Sequence, residues 1–365
     1  MQETYEIRLF AKHLPLLGDT TGNFVKLGRV AAIVRGTVDD PLFVRIGKLE
    51  QHLRSTRQGV AFGAWRIERH YSKEEMARAE LFLLNVPFTE LSGEEYGTQF
   101  EESVNCEQEI EVLEYAGGAD FRINHKNVSC ALHSKQIGPL RIAFRKLTRN
   151  LDIYRLWGGE LVVSEDFVSL NNNGQFSGGV FFPVIDVRND DLSSPLQFSD
   201  SPVGLEILSI AADKQMSPGS WKFWEWLNDE AQKPLLDRML GQKKDTIRNG
   251  ETSSAGRNLA QLVLRSNPLQ ISDPTQFGET PFDKENKDYH QCDGGVIAGR
   301  RLISPLSVLR SSWDGSDLCR TGIHVGGRRH GLFRPHQLLV VSKRLFQAML
   351  KHEMKGFQFE IVEMI

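Results

Sequence analysis

The chain contains few cysteines and no long apolar run. Only 4 of its 365 residues are cysteine, which is too few for a disulfide-dense secreted domain, so we expect free thiols in a reducing compartment. No stretch reaches the roughly 18 apolar residues that a membrane-spanning helix needs. The opening residues, MQETYEIRLF, lack the basic and apolar regions of a secretory signal. These absences predict a cytoplasmic protein that has no membrane partner.

Contiguous enzyme signatures are also absent. The sequence contains no G-x-S-x-G turn, no Walker loop, no H-E-x-x-H pair, and no glycine fingerprint that follows a strand and opens a helix. We therefore predict a protein without a catalytic site. One alternative stays open, an enzyme whose polar groups come from separate segments, for instance Asp317, His324 and Arg329.

Positive charge is concentrated at the C-terminal end. Residues 296–365 hold 11 Lys and Arg against 5 Asp and Glu, whereas the whole chain has a net charge of −3. A basic loop in this region, HVGGRRHGLFRPH, contains Arg328, Arg329 and Arg334. Binding of a nucleic acid or nucleotide by this loop is a second alternative, but a solvated face or a protein interface explains so modest a surplus better.

Two segments almost half a chain apart resemble each other. Residues 160–184 read ELVVSEDFVSLNNNGQFSGGVFFPV, and residues 338–362 read LLVVSKRLFQAMLKHEMKGFQFEIV. In each, an apolar run ends in a serine that can cap a helix, and a strand-like run follows a glycine. The pattern predicts a strand-helix-strand unit in both places. The turn formers NNNGQ predict a shorter, more degenerate helix in the first copy, and Gly356 is predicted to end the second helix.

A short motif precedes both copies. Asp152-Ile153-Tyr154-Arg155 lies ahead of the first, and Asp317-Leu318-Cys319-Arg320 lies ahead of the second. The repetition predicts an α+β protein of two related lobes formed by internal duplication. We place an N-terminal lobe at 1–188, a linker at 189–205 and a C-terminal lobe, with a tryptophan-rich helix, at 206–365.

Two local patterns in the first 90 residues give further predictions. Ser72 and Glu75 have the spacing of a capping box, so a helix is expected across YSKEEMARAELFLLNV with Leu81 and Phe82 on its apolar side. Earlier, the runs YEIRLFA, VAAIVRG and LFVRIG are typical of the strands of a sheet.

The tryptophan-rich segment is a candidate binding element. Trp221, Trp224 and Trp226 lie within six residues and cannot all face one core. Tryptophan is enriched at interface hot spots, so these residues, together with Arg328, Arg329 and Arg334, are our candidates for partner binding. A helix packed between the two lobes would have the same composition.

Zinc is the only metal that the sequence suggests. Cys130 and His133 have a knuckle-like spacing, and Cys106, His290 and Cys292 could complete a ligand set. Because there is no second closely spaced pair, ordinary packed thiols explain these residues better, and no cofactor is predicted.

A family resemblance covers about two-thirds of the chain. Eight segments resemble the bacterial double-CXXCG proteins. In the first half they are HYSKEEMARAELFLL, EEYGTQFEESVNC, PLRIAFRKLTRNLDIYR and GELVVSEDFV, and in the second half they are TQFGETPFD, YHQCDGG, SSWDGSDLCRT and the second repeat copy. Those proteins are similar to the immunity domains of myxobacterial toxin–immunity pairs. The resemblance implies a cytoplasmic, non-enzymatic protein that binds and neutralises a cognate toxin.

Double-CXXCG proteins take their name from two CXXCG knuckles that would suit zinc, and this sequence departs from that pattern at both. The first position reads Cys106-Glu107-Gln108-Glu109 and the second reads Cys292-Asp293-Gly294-Gly295. Each keeps only its leading cysteine, so a tetrahedral thiolate site cannot be built from the two knuckles.

Overall fold

The computed structural model describes most of the chain outside one long central stretch. The described residues are 1–18, 24–27, 29–89, 91–98, 100–102, 107–116, 119–129, 134–136, 139–147, 150–187, 258–278, 280–283, 296–298, 301–326, 328–329, 332–333 and 336–365. Helices and several sheets both occur, which confirms the predicted α+β class. Within these ranges, no helix combines the length and apolar character needed to cross a membrane.

Strands outnumber helices in the described part of the chain. The α-helices are α1 (Pro41–Ser55), α2 (Lys73–Arg78), α3 (Glu165–Gly174) and α4 (Lys343–Lys351). Short 3-10 helices lie at Ala11–Leu17, Glu94–Tyr96, Phe144–Lys146 and Arg310–Ser312. The strands are β1 (Gln2–Phe10), β2 (Phe24–Leu27), β3 (Ala31–Thr37), β4 (Phe62–His70), β5 (Leu81–Asn85), β6 (Phe100–Glu102), β7 (Glu107–Ala116), β8 (Ala119–Ser129), β9 (Ser134–Gln136), β10 (Arg141–Ile142), β11 (Ile153–Arg155), β12 (Leu161–Ser164), β13 (Gly179–Pro183), β14 (Ile185–Asp186), β15 (Leu259–Leu264), β16 (Phe277–Gly278), β17 (Val296–Ala298), β18 (Arg301–Leu302), β19 (Ser307–Val308), β20 (Leu318–Gly326), β21 (Arg328–Arg329), β22 (Leu332–Phe333), β23 (His336–Ser342) and β24 (Gln358–Met364).

The first 70 residues form a separate layer. Strands β1 to β4 make an antiparallel sheet in the order β2-β3-β1-β4, and α1 packs on it through Leu42, Phe43 and Ile46. The prediction that LFVRIG forms a strand is wrong, since these residues lie inside α1. Asp40 caps that helix by accepting a hydrogen bond from the Leu42 backbone N–H, and Pro41 occupies its first turn, where a missing N–H costs nothing.

The capping box at Ser72 and Glu75 is confirmed, but the helix that it starts is short. Both reciprocal hydrogen bonds are present, and α2 ends at Arg78. The predicted continuation through Leu81 and Phe82 is wrong, because these residues begin β5, four of whose side chains are buried. A strand with two buried faces has no polar alternation, so its composition resembles that of a buried helix.

Two further sheets share one pairing pattern. One has the strand order β11-β12-β15-β13, and the other has the order β17-β20-β23-β5-β24-β19. In the first, Ser164 pairs with Leu259 and Phe181 with Leu262. In the second, the corresponding pairs are Ser342 with Leu81 and Phe359 with Leu84, each residue 178 positions away from its counterpart. The sheets therefore match in strand direction and in register.

Each of these sheets takes its central strand from the other half of the chain. Strand β5 lies between β23 and β24, and β15 lies between β12 and β13. Both are antiparallel to their neighbours. Hydrogen-bonded strands thus come from both sides of the predicted division into 1–188 and 206–365, while the predicted linker at 189–205 lies outside the described residues.

The main core lies between these sheets and the two helices that join their strands. Phe82 of β5 stacks on Phe346 of α4, with ring centroids 4.0 Å apart, and Phe167 of α3 is fully buried. Burying side chains of this size contributes about 1.5–3 kcal/mol each. The prediction of a shorter first helix is wrong, because α3 has 10 residues and α4 has 9.

Candidate functional site

Two aspartates of the repeated motif connect the two strand-helix-strand units, which are β12-α3-β13 and β23-α4-β24. Asp152 accepts a hydrogen bond from Ser164 Oγ at 2.8 Å and one from the Lys355 backbone N–H at 2.7 Å. Ser164 in turn caps α3, as its sequence position predicts. One carboxylate therefore positions its own unit's helix cap and holds the loop that follows the helix of the other unit.

Asp317 makes the corresponding contacts from the second unit to the loop that follows the helix of the first. It accepts a hydrogen bond from Ser342 Oγ at 2.5 Å and one from the Ser177 backbone N–H at 3.0 Å. Ser342 caps α4, which also confirms the predicted cap. The backbone repeats the exchange, since Asp152 N–H donates to Lys355 O at 2.9 Å and Asp317 N–H to Ser177 O at 3.2 Å.

A glycine lies at the tightest point of each contact. Gly178 has φ +94°, and a Cβ atom there would lie 2.1 Å from Leu318 O; Gly356 has φ +109°, and its Cβ would lie 2.4 Å from Ile153 O. The prediction that Gly356 ends the second helix is wrong, because α4 stops at Lys351. Both glycines instead permit close backbone approach between the units.

Arg344 adds an ion pair to the contacts of Asp317. Its guanidinium bonds both carboxylate oxygens of Asp317 and donates to Gly174 O at 3.2 Å. Burial would raise the pKa of Asp317, but hydrogen bonds from Arg344 and Ser342 outweigh burial and lower it below the ordinary value. Asp317, the acidic residue in the catalytic alternative, is therefore engaged in holding the units together.

A pocket of ≈ 580 Å³ lies at the junction of the second sheet with the repeated motif. Its lining comes from the end of β5 and the residues after it, from Leu151 and Arg155, from the start of β23, and from residues 356–358. Arg155 is only 3% exposed. Its charge is stacked over the Phe88 ring, 5.8 Å from the centroid, and Nη1 lies 3.5 Å from Gln337 O.

The sequence places Arg155 in the repeated motif, but no binding role is predicted from it. A signal is present in the sequence, because Arg155 lies between Ile153-Tyr154 and Leu156-Trp157, and arginine is seldom fully buried unless it is paired. Burial lowers the pKa of Arg155 to about 10. Among the described residues, no carboxylate forms an ion pair with it. The pocket thus presents a desolvated positive charge.

Most of the residues predicted for binding lie outside the described part of the chain. These are Trp221, Trp224, Trp226 and Arg334, together with the zinc candidates Cys106, Cys130, His133, His290 and Cys292. Arg328 and Arg329 form strand β21, which pairs with β22 at Leu332–Phe333. In the described residues, no group of three or more His, Cys, Asp or Glu side chains is arranged to hold a metal. Cys319 is a free, buried thiol, as expected.

Comparison of the sequence with protein-family models gives no match, and neither does comparison with curated proteins. The resemblance to double-CXXCG proteins stays a prediction from the quoted sequence segments.

Proposed function

We propose that this chain is a non-enzymatic, cytoplasmic immunity protein that binds and neutralises a cognate bacterial toxin. The proposal rests on the resemblance to the double-CXXCG proteins. Several segments that carry the resemblance belong to the two units and the strands paired with them. They are β5, the motif at Asp152–Arg155, β12, and β23 with α4. A protein that acts by binding needs a rigid scaffold, because a preorganised surface loses less conformational entropy on association.

The observation that carries the non-enzymatic part of the proposal is the position of Asp317. A general acid or base must be available to substrate, whereas this carboxylate is 4% exposed and accepts hydrogen bonds from Ser342, Ser177 and Arg344. It contributes to the junction between the units. The catalytic site suggested by Asp317, His324 and Arg329 consequently loses its acidic residue.

We also infer that the two units arose by internal duplication with exchange of their first strands. The 178-residue offset holds for the central strands as well as for the two copies visible in the sequence. It extends to the contacts before the helices, where Glu165 N–H donates to Asn258 O and Lys343 N–H donates to Glu80 O. A duplicated unit that exchanged one strand accounts for all of these correspondences.

Co-expression with the protein encoded beside this chain tests the immunity proposal. We expect a stable complex on co-purification, and rescue of growth when the neighbouring protein is produced. Trp224→Ala and Arg334→Ala, which alter two predicted contact residues, should weaken the complex. Arg145→Ala is the matched control, since this exposed arginine is not one of the predicted contacts.

The absence of both a complex and rescue would contradict the proposal. Binding to nucleic acid that weakens steeply with salt would then favour the basic loop as the functional element.

A further inference from the structure

The pocket beside Arg155 has the composition of a small-ligand site. Its volume of ≈ 580 Å³ lies within the range of about 300–1,000 Å³ that ligand pockets occupy. Much of the lining is apolar or aromatic, including Phe88 and Phe357. The polar lining groups are Arg66, Asn85, Arg155, His336 and Gln358. An apolar body with one polar end would match this arrangement.

Arg155 is the charged group of the pocket that lies deepest. It is 3% exposed, whereas Arg66 has a side chain 48% exposed. Among the described residues, its guanidinium has one hydrogen bond, to Gln337 O at 3.5 Å, and one ring contact, with Phe88. A separation of 3.5 Å is at the long limit for a hydrogen bond. A desolvated guanidinium with so little compensation is a favourable place for an anion.

Two acidic side chains on strands that border the pocket are paired with arginines other than Arg155. Glu360 accepts a hydrogen bond from Asn85 and is paired with Arg69 Nη1 at 2.5 Å. Glu68 is paired with Arg66 Nη2 at 3.0 Å. Asp152, next to the lining residue Leu151, accepts hydrogen bonds from Ser164 Oγ and the Lys355 backbone N–H. None of the residues lining the pocket is Asp or Glu. Burial is the only cause that shifts the pKa of Arg155, so among the described residues no nearby carboxylate compensates its charge.

The equivalent residue of the other unit has a different environment. Arg155 pairs across its sheet with Leu161, and Arg320 pairs with Leu339, which is the counterpart of Leu161. Arg320 donates from Nη1 to Gln337 Oε1 at 3.4 Å and does not line this pocket. The two arginines share a fold position, and only Arg155 faces the pocket.

We propose that this pocket binds a monocarboxylate carried on an apolar or aromatic body, with Arg155 as its counter-ion. The planar guanidinium matches a carboxylate, which can accept two parallel N–H bonds. A single negative charge balances the single buried cation. The aromatic side chains Phe88 and Phe357 would contact the body of the ligand. This site is independent of the proposed toxin partner, so either proposal can fail without the other.

Calorimetric titration of the purified full-length chain with phenylacetate tests the proposal. A ligand of this size should bind with a Kd of about 1 mM. Arg155→Met, which keeps much of the side-chain volume, should abolish binding, and Arg155→Lys should weaken it about tenfold because the fork geometry is lost. Arg145→Met, at an exposed arginine that does not line the pocket, is the control and should bind like the original chain. Circular dichroism and thermal melting check that each variant is folded.

Two comparison probes define the chemistry. Benzylamine reverses the charge and should not bind, while phenyl phosphate should bind more weakly than phenylacetate because its second charge has no buried counter-ion. No phenylacetate binding by the original chain, equal binding by Arg155→Met, or tighter binding of phenyl phosphate would each overturn the proposal. If Arg155→Met does not fold, Arg155→Lys decides, and unchanged affinity in that variant counts against a bidentate contact.

Discussion

Asp152 and Asp317 make reciprocal contacts: each accepts a hydrogen bond from the serine that caps its own unit's helix and another from the loop that follows the other unit's helix. The two carboxylates therefore fix both the start of the helices and the position of one unit against the other. Four predictions test this arrangement and the contacts around it.

The first prediction concerns Gly178 and Gly356. Alanine at either position would combine a left-handed backbone with a Cβ atom only 2.1 or 2.4 Å from a carbonyl oxygen. We expect each substitution to lower the free energy of unfolding by about 3 kcal/mol or more. Gly315→Ala is the matched control, because Gly315 has φ +83° with nothing within 4 Å, and it should cost only about 1 kcal/mol. Urea denaturation measures all three, and equal losses would contradict the close approach.

The second prediction concerns pH. The pKa of Asp317 is lower in the folded protein than its ordinary value, so ionised Asp317 stabilises the fold above the ordinary carboxyl pKa. This contribution is lost as the pH falls through the folded-state pKa. Asp317→Asn should therefore be less stable at pH 7 by about 2–3 kcal/mol, and the difference should shrink below about pH 4.

Asp166→Asn is the control for the pH prediction. Asp166 is exposed at the start of α3, in the position equivalent to Arg344, and its substitution should cost only about 0.5 kcal/mol. Unfolding free energies at several pH values between 3 and 7 provide the measurement. A constant gap between Asp317→Asn and the original chain across that range would show that Asp317 is not the titrating group.

The third prediction concerns Arg69, which connects the N-terminal layer to the second sheet. Its side chain is 2% exposed and is paired with Glu3 at 2.8 Å and Glu360 at 2.5 Å. Arg69→Met would leave two largely buried carboxylates without their arginine partner, so we expect a loss of about 3–5 kcal/mol. Arg35→Met breaks a pair whose side chains are 62% and 44% exposed and should cost at most about 1 kcal/mol. Similar melting temperatures for the two variants would contradict this assignment.

The fourth prediction follows from the exchanged strands. Fragments 1–188 and 206–365 each lack the strand that completes one of their own sheets, because β15 and β5 lie in the opposite fragment. We expect each fragment alone to be unfolded or aggregated, and the co-expressed pair to purify as one folded complex. A shorter partner, 266–365, keeps β23 and β24 but lacks β15, so it should form a less stable complex in which β12 and β13 have no strand between them. Independent folding of either fragment would argue against the exchange.

Local features of the fold were largely predictable from the sequence. The helix caps at Ser164 and Ser342 and the capping box at Ser72 depend on hydrogen bonds within a few residues, and each is present. The strand-helix-strand character of both copies also follows from nearby residues. The helix at Pro41–Ser55 was missed, although Asp40-Pro41 and the spacing of Leu42, Ile46 and Leu53 were available as signals.

Long-range features were not predictable in the same way. Apolar composition shows that a strand is buried but does not identify its neighbours, so nothing in LFLLN indicates that β5 pairs with residues more than 250 positions away. The pocket depends on such contacts too. Arg155 becomes a desolvated cation only because residues after β5 and at the start of β23 cover it.

The position of β5 between β23 and β24 also affects how the protein is made. Leu81, Leu83 and Leu84 leave the ribosome early, but β24, one of the two strands that cover β5, ends at Met364. At about 5–20 residues per second, synthesis of the intervening chain takes on the order of 15–55 seconds. During that time the four apolar residues of β5 lack the neighbours that bury them, so we expect folding in the cell to be sensitive to whether this strand is protected during translation.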